Sequence, residues 1–75
     1  MKIEGSSHLE RAEYDETHRM LVVGFKGGAT YSFQNVPAEK WKAFQEAPSK
    51  GSYLASEIKP HHRSWPAKSY NWKDE

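Results

Sequence analysis

Two alternating apolar runs on either side of adjacent glycines constrain this chain more than any other feature. Met20-Leu21-Val22-Val23-Gly24-Phe25 puts Leu21, Val23 and Phe25 on one side of an extended strand, because successive strand side chains point to opposite faces. Lys26-Gly27-Gly28 follows, and the glycine pair supplies the positive φ angles that a tight hairpin needs. Ala29-Thr30-Tyr31-Ser32-Phe33-Gln34 then alternates again, with Tyr31 and Phe33 on one face and Thr30, Ser32 and Gln34 on the other. A hairpin with one apolar face is not stable alone in water, so the remaining sequence must cover it.

The flanking segments offer the means. Leu9 to Tyr14 reads as a weaker strand with Leu9, Ala12 and Tyr14 as core residues, and the uneven spacing from Leu9 to Ala12 predicts a bulge. Asp15 to Arg19 is a polar turn before Met20. After Asn35 the period changes. Pro37 suits the first turn of a helix, Glu39 lies near its positive end, and Trp41 and Phe44 are three apart and face the same way. Ala47-Pro48 ends that helix. Ser49 is a good N-cap for a second short helix whose inward residues are Tyr53, Leu54 and Ile58, and Pro60 stops it. The expected fold is α+β: a three-stranded antiparallel meander packed on one face by two short helices, in the order β-β-β-α-α, with an irregular C-terminal arm. The 75 residues are read as one domain, a core over 7–58 and an arm over 59–75.

Composition narrows the functional classes. A chain this short builds one small core and has little room for an enclosed active site. There are no cysteines, so neither a disulfide nor a thiolate metal site is expected. No apolar stretch approaches a membrane span, and no signal-like apolar region follows Met1, so a cytoplasmic location is expected.

The order of residues resembles the KTSC domain family, small modules that also occur at the C-terminus of some lysyl-tRNA synthetases. The resemblance rests on Tyr14-Asp15, Leu21-x-Val23-x-Phe25, Gly28-x-x-Tyr31-x-Phe33-x-x-Val36-Pro37, Ala47-Pro48-Ser49-Lys50-Gly51-Ser52-Tyr53-Leu54 and Ile58. It runs from about Ser7 to Arg63. Phe33 stands where the family has the second tyrosine of a Y-x-Y motif, so no role of that hydroxyl carries over. Leu54-Ala55-Ser56 replaces a more usual aromatic-Asn run. The synthetase context implies a link to RNA.

Three groups of residues could carry a function. Tyr31 and Phe33 could stack on bases, but an apolar hairpin face is more often core. Ser49, Lys50 and Gly51 could hold a phosphate at a helix start, but a plain helix cap at Ser49 is the commoner arrangement. The third group is the arm. Residues 1–58 carry a net charge of −1, whereas residues 59–73 hold Lys59, Arg63, Lys68 and Lys73 and no acid, before Asp74 and Glu75. His61, His62, Trp65, Tyr70 and Trp72 alternate with those cations. Basic residues interleaved with aromatics suit a phosphate backbone with stacked bases.

The expected function is therefore a non-catalytic binding module, an RNA-binding accessory domain that uses the basic aromatic arm. The alternative is a protein-interaction module, such as a small phage-encoded regulator of a host machine, with Arg63, Trp65 and Trp72 as anchors. The candidate binding residues are Lys50, Gly51, Lys59, His61, His62, Arg63, Trp65, Lys68 and Trp72. Adjacent histidines point apart and no third ligand is spaced to join them, so no metal is expected. No nucleophile stands at a useful spacing from a base, so no enzyme activity, cofactor, small-molecule substrate or membrane partner is expected.

Overall fold

The computed structural model describes residues 1–73; Asp74 and Glu75, whose charges close the arm, lie outside the described residues. Three strands come first: β1 (Leu9–Asp15), β2 (Met20–Phe25) and β3 (Thr30–Phe33). Helices α1 (Ala38–Glu46) and α2 (Lys50–Tyr53) follow. A π-helical turn, Leu54–Ile58, continues α2 without a break, and β4 (Ser64–Pro66) closes the order. All strand pairings are antiparallel, in the order β1-β2-β3-β4.

The hairpin forms as its sequence dictates. Gly27 and Gly28 have φ of 99° and 100°, which a side chain would resist, and the Phe25 N–H closes the turn on the Ala29 carbonyl at 2.7 Å. The bulge is also present. Leu9 pairs with Phe25 and Arg11 with Gly24, so Glu10 is the extra residue, and from Ala12 onward the apolar face of β1 matches that of β2. The second helix is capped as expected: Ser49 Oγ accepts from the Ser52 N–H. Pro37 stands one position earlier than the first turn, as the N-cap of α1, and its carbonyl accepts from the Lys40 and Trp41 N–H groups.

One face of the sheet meets the helices. Leu9, Ala12, Leu21, Val23 and Phe33 pack with Val36, Phe44, Leu54 and Ile58. An aromatic ladder joins the layers: Tyr14 stacks on Trp41 at 5.7 Å, Trp41 on Phe44 at 5.9 Å, and Phe44 meets Tyr53 edge-on at 6.3 Å. The Tyr14 hydroxyl leaves this ladder to donate to the Val36 carbonyl at 2.6 Å. Phe33 belongs to the core. Tyr31 shares its face but lies outside the core, 38% exposed and edge-on to Phe25.

Two features depart from the sequence reading. The N-terminal segment joins the fold, with Lys2 bridged to Arg11 and Ile3 buried in the core. The sheet has four strands rather than three, because the arm is not irregular throughout: Ser64–Pro66 pairs with β3. A three-residue strand that ends in proline shows no alternation, and its partner lies some thirty positions upstream, so nothing local marks it.

Candidate functional site

The fourth strand turns the arm back over the sheet face opposite the helices. There Glu13, Val22, Ser32 and Trp65 form one row across all four strands. Glu13, Val22 and Ser32 are buried, while Trp65 at the end of the row is 50% exposed. Beyond β4, the Ala67 N–H bonds the Thr30 carbonyl at 2.8 Å and the chain crosses toward β1. Glu13 holds it there. Its carboxylate accepts the Tyr70 hydroxyl at 2.8 Å and the Lys73 N–H with both oxygens at 3.0 Å. Trp72 lies over Gly24 with the Arg11 guanidinium 4.2 Å from its ring centroid, and Tyr70 meets it edge-on at 4.9 Å.

The candidate residues separate into three places. Arg63, Trp65 and Lys68 are exposed at β4 and just beyond it, with the Arg63 guanidinium 5.8 Å from the Trp65 ring centroid. Lys50, Gly51 and Lys59 line a groove of about 750 Å³ between the N-terminal segment and α2. Trp72 and His62 turn inward, while His61 is exposed. The arm therefore does not present its aromatics together. Trp72 packs over Gly24, while Trp65, on the same sheet face, is half exposed at β4. Sequence reasoning missed Glu13 and Tyr70 as the anchor of the arm. Glu13 sits mid-strand in β1 opposite Val22 of β2, and a glutamate at such a position carries no local sign that it is buried.

His62 shows why the start of the arm is fixed. Its Nδ1 lies 3.0 Å from the Gln34 carbonyl and its Nε2 lies 3.0 Å from Lys40 Nζ. A carbonyl only accepts and an ammonium only donates, so the proton sits on Nδ1 and Nε2 accepts. Lys40 Nζ also donates to the Glu57 carbonyl at 2.9 Å, which ties α1 to the π-helical turn. Burial, and then the Lys40 charge, hold the imidazole below its ordinary pKa of 6.5, against the opposing pull of the Gln34 bond. The unfolded chain therefore takes up this proton first as pH falls. The contribution is complete above pH 6.5 and is lost as pH drops through the folded pKa. The urea midpoint should fall between pH 7 and pH 5, and it should fall less in His62→Gln. Equal pH dependence in the two proteins would contradict this bonding. Asp15 acts in the opposite range: hydrogen bonds from His18 hold its carboxyl below 3.8.

One sheet edge is occupied and the other is blunted. The N-terminal segment covers β1 through Ile3 N–H to Glu10 O and Ala12 N–H to Met1 O, each 2.9 Å. On β4, Arg63 O and Ala67 N–H point inward to β3, so Ser64 and Pro66 carry the outward backbone groups. Pro66 has no N–H, which leaves a poor template for another strand. Among the described residues, no group of three or more His, Cys, Asp or Glu side chains is placed to hold a metal, and no helix is long and apolar enough to cross a membrane.

Comparison with known proteins agrees with the architecture. The model of the KTSC domain family matches residues 5–62. A protein of Tsukamurella paurometabola is 37% identical over 59 residues, covering 79% of this chain and 88% of the relative. An uncharacterized protein of Stutzerimonas stutzeri is 39% identical over 61 residues, covering 80% and 86%. The crystal structure of a KTSC domain protein from Yersinia pestis superposes with a TM-score of 0.83 at 28% identity, over 89% of this chain and 93% of that one.

Proposed function

The chain belongs to the KTSC domain family, and from that premise we propose that it is a non-catalytic module that binds RNA through the exposed residues of its C-terminal arm. The observation that carries this reading is the exposed Arg63–Trp65 pair. Trp65 offers a half-exposed ring for stacking, and Arg63 beside it offers a cation for the adjoining phosphate. Lys68 continues the charge along the same segment, and residues 59–73 contain no acid to oppose it. A covered β1 edge and a β4 edge blunted by Pro66 disfavour partners that bind by adding a strand, which leaves side-chain surfaces such as this one.

Anisotropy titration of a short structured RNA at two salt concentrations tests the proposal. Arg63 and Lys68 would neutralise two phosphates, so log K should fall against log salt with a slope of about −1.5. Trp65→Ala should weaken binding by about tenfold or more, in line with the loss of about 1–3 kcal/mol per stacked base. Its unfolding temperature should change little, because the ring is half exposed. Failure to bind at low salt, or undiminished binding by Trp65→Ala, would refute the reading. Capture of a defined protein partner through Arg63 and Trp65 without RNA affinity would favour the protein-interaction alternative.

A further inference from the structure

The groove between the N-terminal segment and α2 takes Lys59 from the start of the arm but is not lined by Arg63 or Trp65, and we infer that it is a binding site for a small phosphorylated ligand with a planar or apolar body, such as a mononucleotide. Three observations point the same way. The first concerns polar hydrogens. Ser6 Oγ accepts from the His8 N–H at 3.2 Å and the Leu9 N–H at 3.0 Å. Both hydroxyl lone pairs are then in use, so its own hydrogen is left to donate toward an acceptor in the groove. Lys59 and Lys50, whose Nζ also donates to the Ala47 carbonyl at 3.3 Å, add ammonium groups from the other wall, against one carboxylate in the lining, Glu4. A site supplied with donors and net positive charge selects an acceptor-rich anion.

The second observation is Gly51. It lies in the first turn of α2 with no positive φ, and a Cβ there would meet only Ser6 Oγ, at 3.9 Å. The fold thus has room for a side chain at a position where glycine weakens a helix. Its absence leaves the backbone open between the two walls, where a ligand can approach closely. The third is the floor. Leu9, Phe25 and Leu54 lie beneath the polar rim, and Phe25 is only half-buried, so a ring can rest there while its phosphate meets the lysines.

Amide NMR titration of the full chain with AMP, adenosine and inorganic phosphate tests the site. AMP should give saturable shifts centred on Ser6, Lys50 and Gly51. Adenosine and phosphate should each bind at least about tenfold more weakly, because each lacks half the recognised chemistry. Lys50→Gln and Gly51→Val should each reduce AMP affinity by about tenfold or more. Lys59→Gln, on an exposed side chain with no folding role, should reduce it with an unchanged unfolding temperature. Trp65→Ala should leave AMP binding intact, so failure of the RNA reading and failure of this one are separable. Absence of saturation at millimolar AMP, shifts centred on the arm, or wild-type affinity in all three groove variants would overturn the inference.

Discussion

A chain ending at Ile58 should lose about 2–4 kcal/mol of stability, and its unfolding temperature should drop by about 10–25 °C. Truncation at that point removes β4 and the crossing segment together. Val22 then comes out from under its cover, and full burial of such a side chain is worth about 1.5–3 kcal/mol. The outer edge of β3 loses its ladder to residues 63–67, including Gln34 N–H to Arg63 O at 2.8 Å. His62 goes too, and with it the acceptor for Lys40 and the donor to Gln34. Glu13 becomes solvated and needs no partner, so its hydrogen bonds are lost without leaving a buried charge. The freed segment also regains conformational entropy, about 1–2 kcal/mol per residue for backbone, which keeps the net effect well below the sum of the contacts. Urea and thermal unfolding of the two chains give the answer. A transition within about 3 °C of the full chain would mean that the arm is an appendage and not a part of the folded unit.

That outcome bears on how partners find this protein. The family match ends at residue 62, just before the fourth strand begins. Residues beyond it nevertheless bury one face of the sheet and reach Glu13 on the far strand. An arm that packs on the sheet at one point can still be a binding surface at another: Trp72 and Trp65 lie on the same sheet face, and packing of Trp72 on Gly24 against half-exposure of Trp65 at β4 divides the two duties. Adding RNA should therefore protect Trp65 while leaving the contact of Trp72 with Arg11 in place.

What the sequence made legible was local. The Gly27-Gly28 hairpin, the bulge after Leu9 and the Ser49 cap each depend on residues within a few positions of one another, and each is present. The fourth strand depends on Tyr31 meeting Pro66 and Ser32 meeting Trp65, which no window along the chain contains. The buried Glu13 failed to stand out for a related reason. Its partners, Tyr70 and the Lys73 backbone, come from the far end of the chain, and a glutamate in a strand otherwise reads as solvent-facing. The basic charge of the arm was visible by counting. Its separation into Lys59 at the groove, a half-buried His62 against Lys40 and Gln34, and an exposed Arg63 with Trp65 needed the fold.

Gly24 offers a way to test the inner contact without cutting the chain. Strand propensity alone favours valine over glycine at a strand centre, by up to about 1 kcal/mol. Packing predicts the reverse. A Cβ at Gly24 would stand 3.1 Å from Trp72 Cζ2 and 3.2 Å from Arg11 Cγ, and the two methyls of valine would intrude further. Either the indole moves off the sheet or the strand shifts, and overpacking of this kind costs about 1–3 kcal/mol. Displacing Trp72 also sacrifices its cation–π contact with Arg11, about 0.5–2 kcal/mol in a partly buried setting. Gly24→Val should therefore destabilise the full chain by about 2–4 kcal/mol, with a red-shifted indole emission and faster exchange of the Lys73 amide. In a Trp72→Ala background the obstacle is gone, and the same substitution should become neutral or stabilising. An equal penalty in both backgrounds would place the strain within the β1–β2 pair, and Trp72 would then have no part in fixing Gly24.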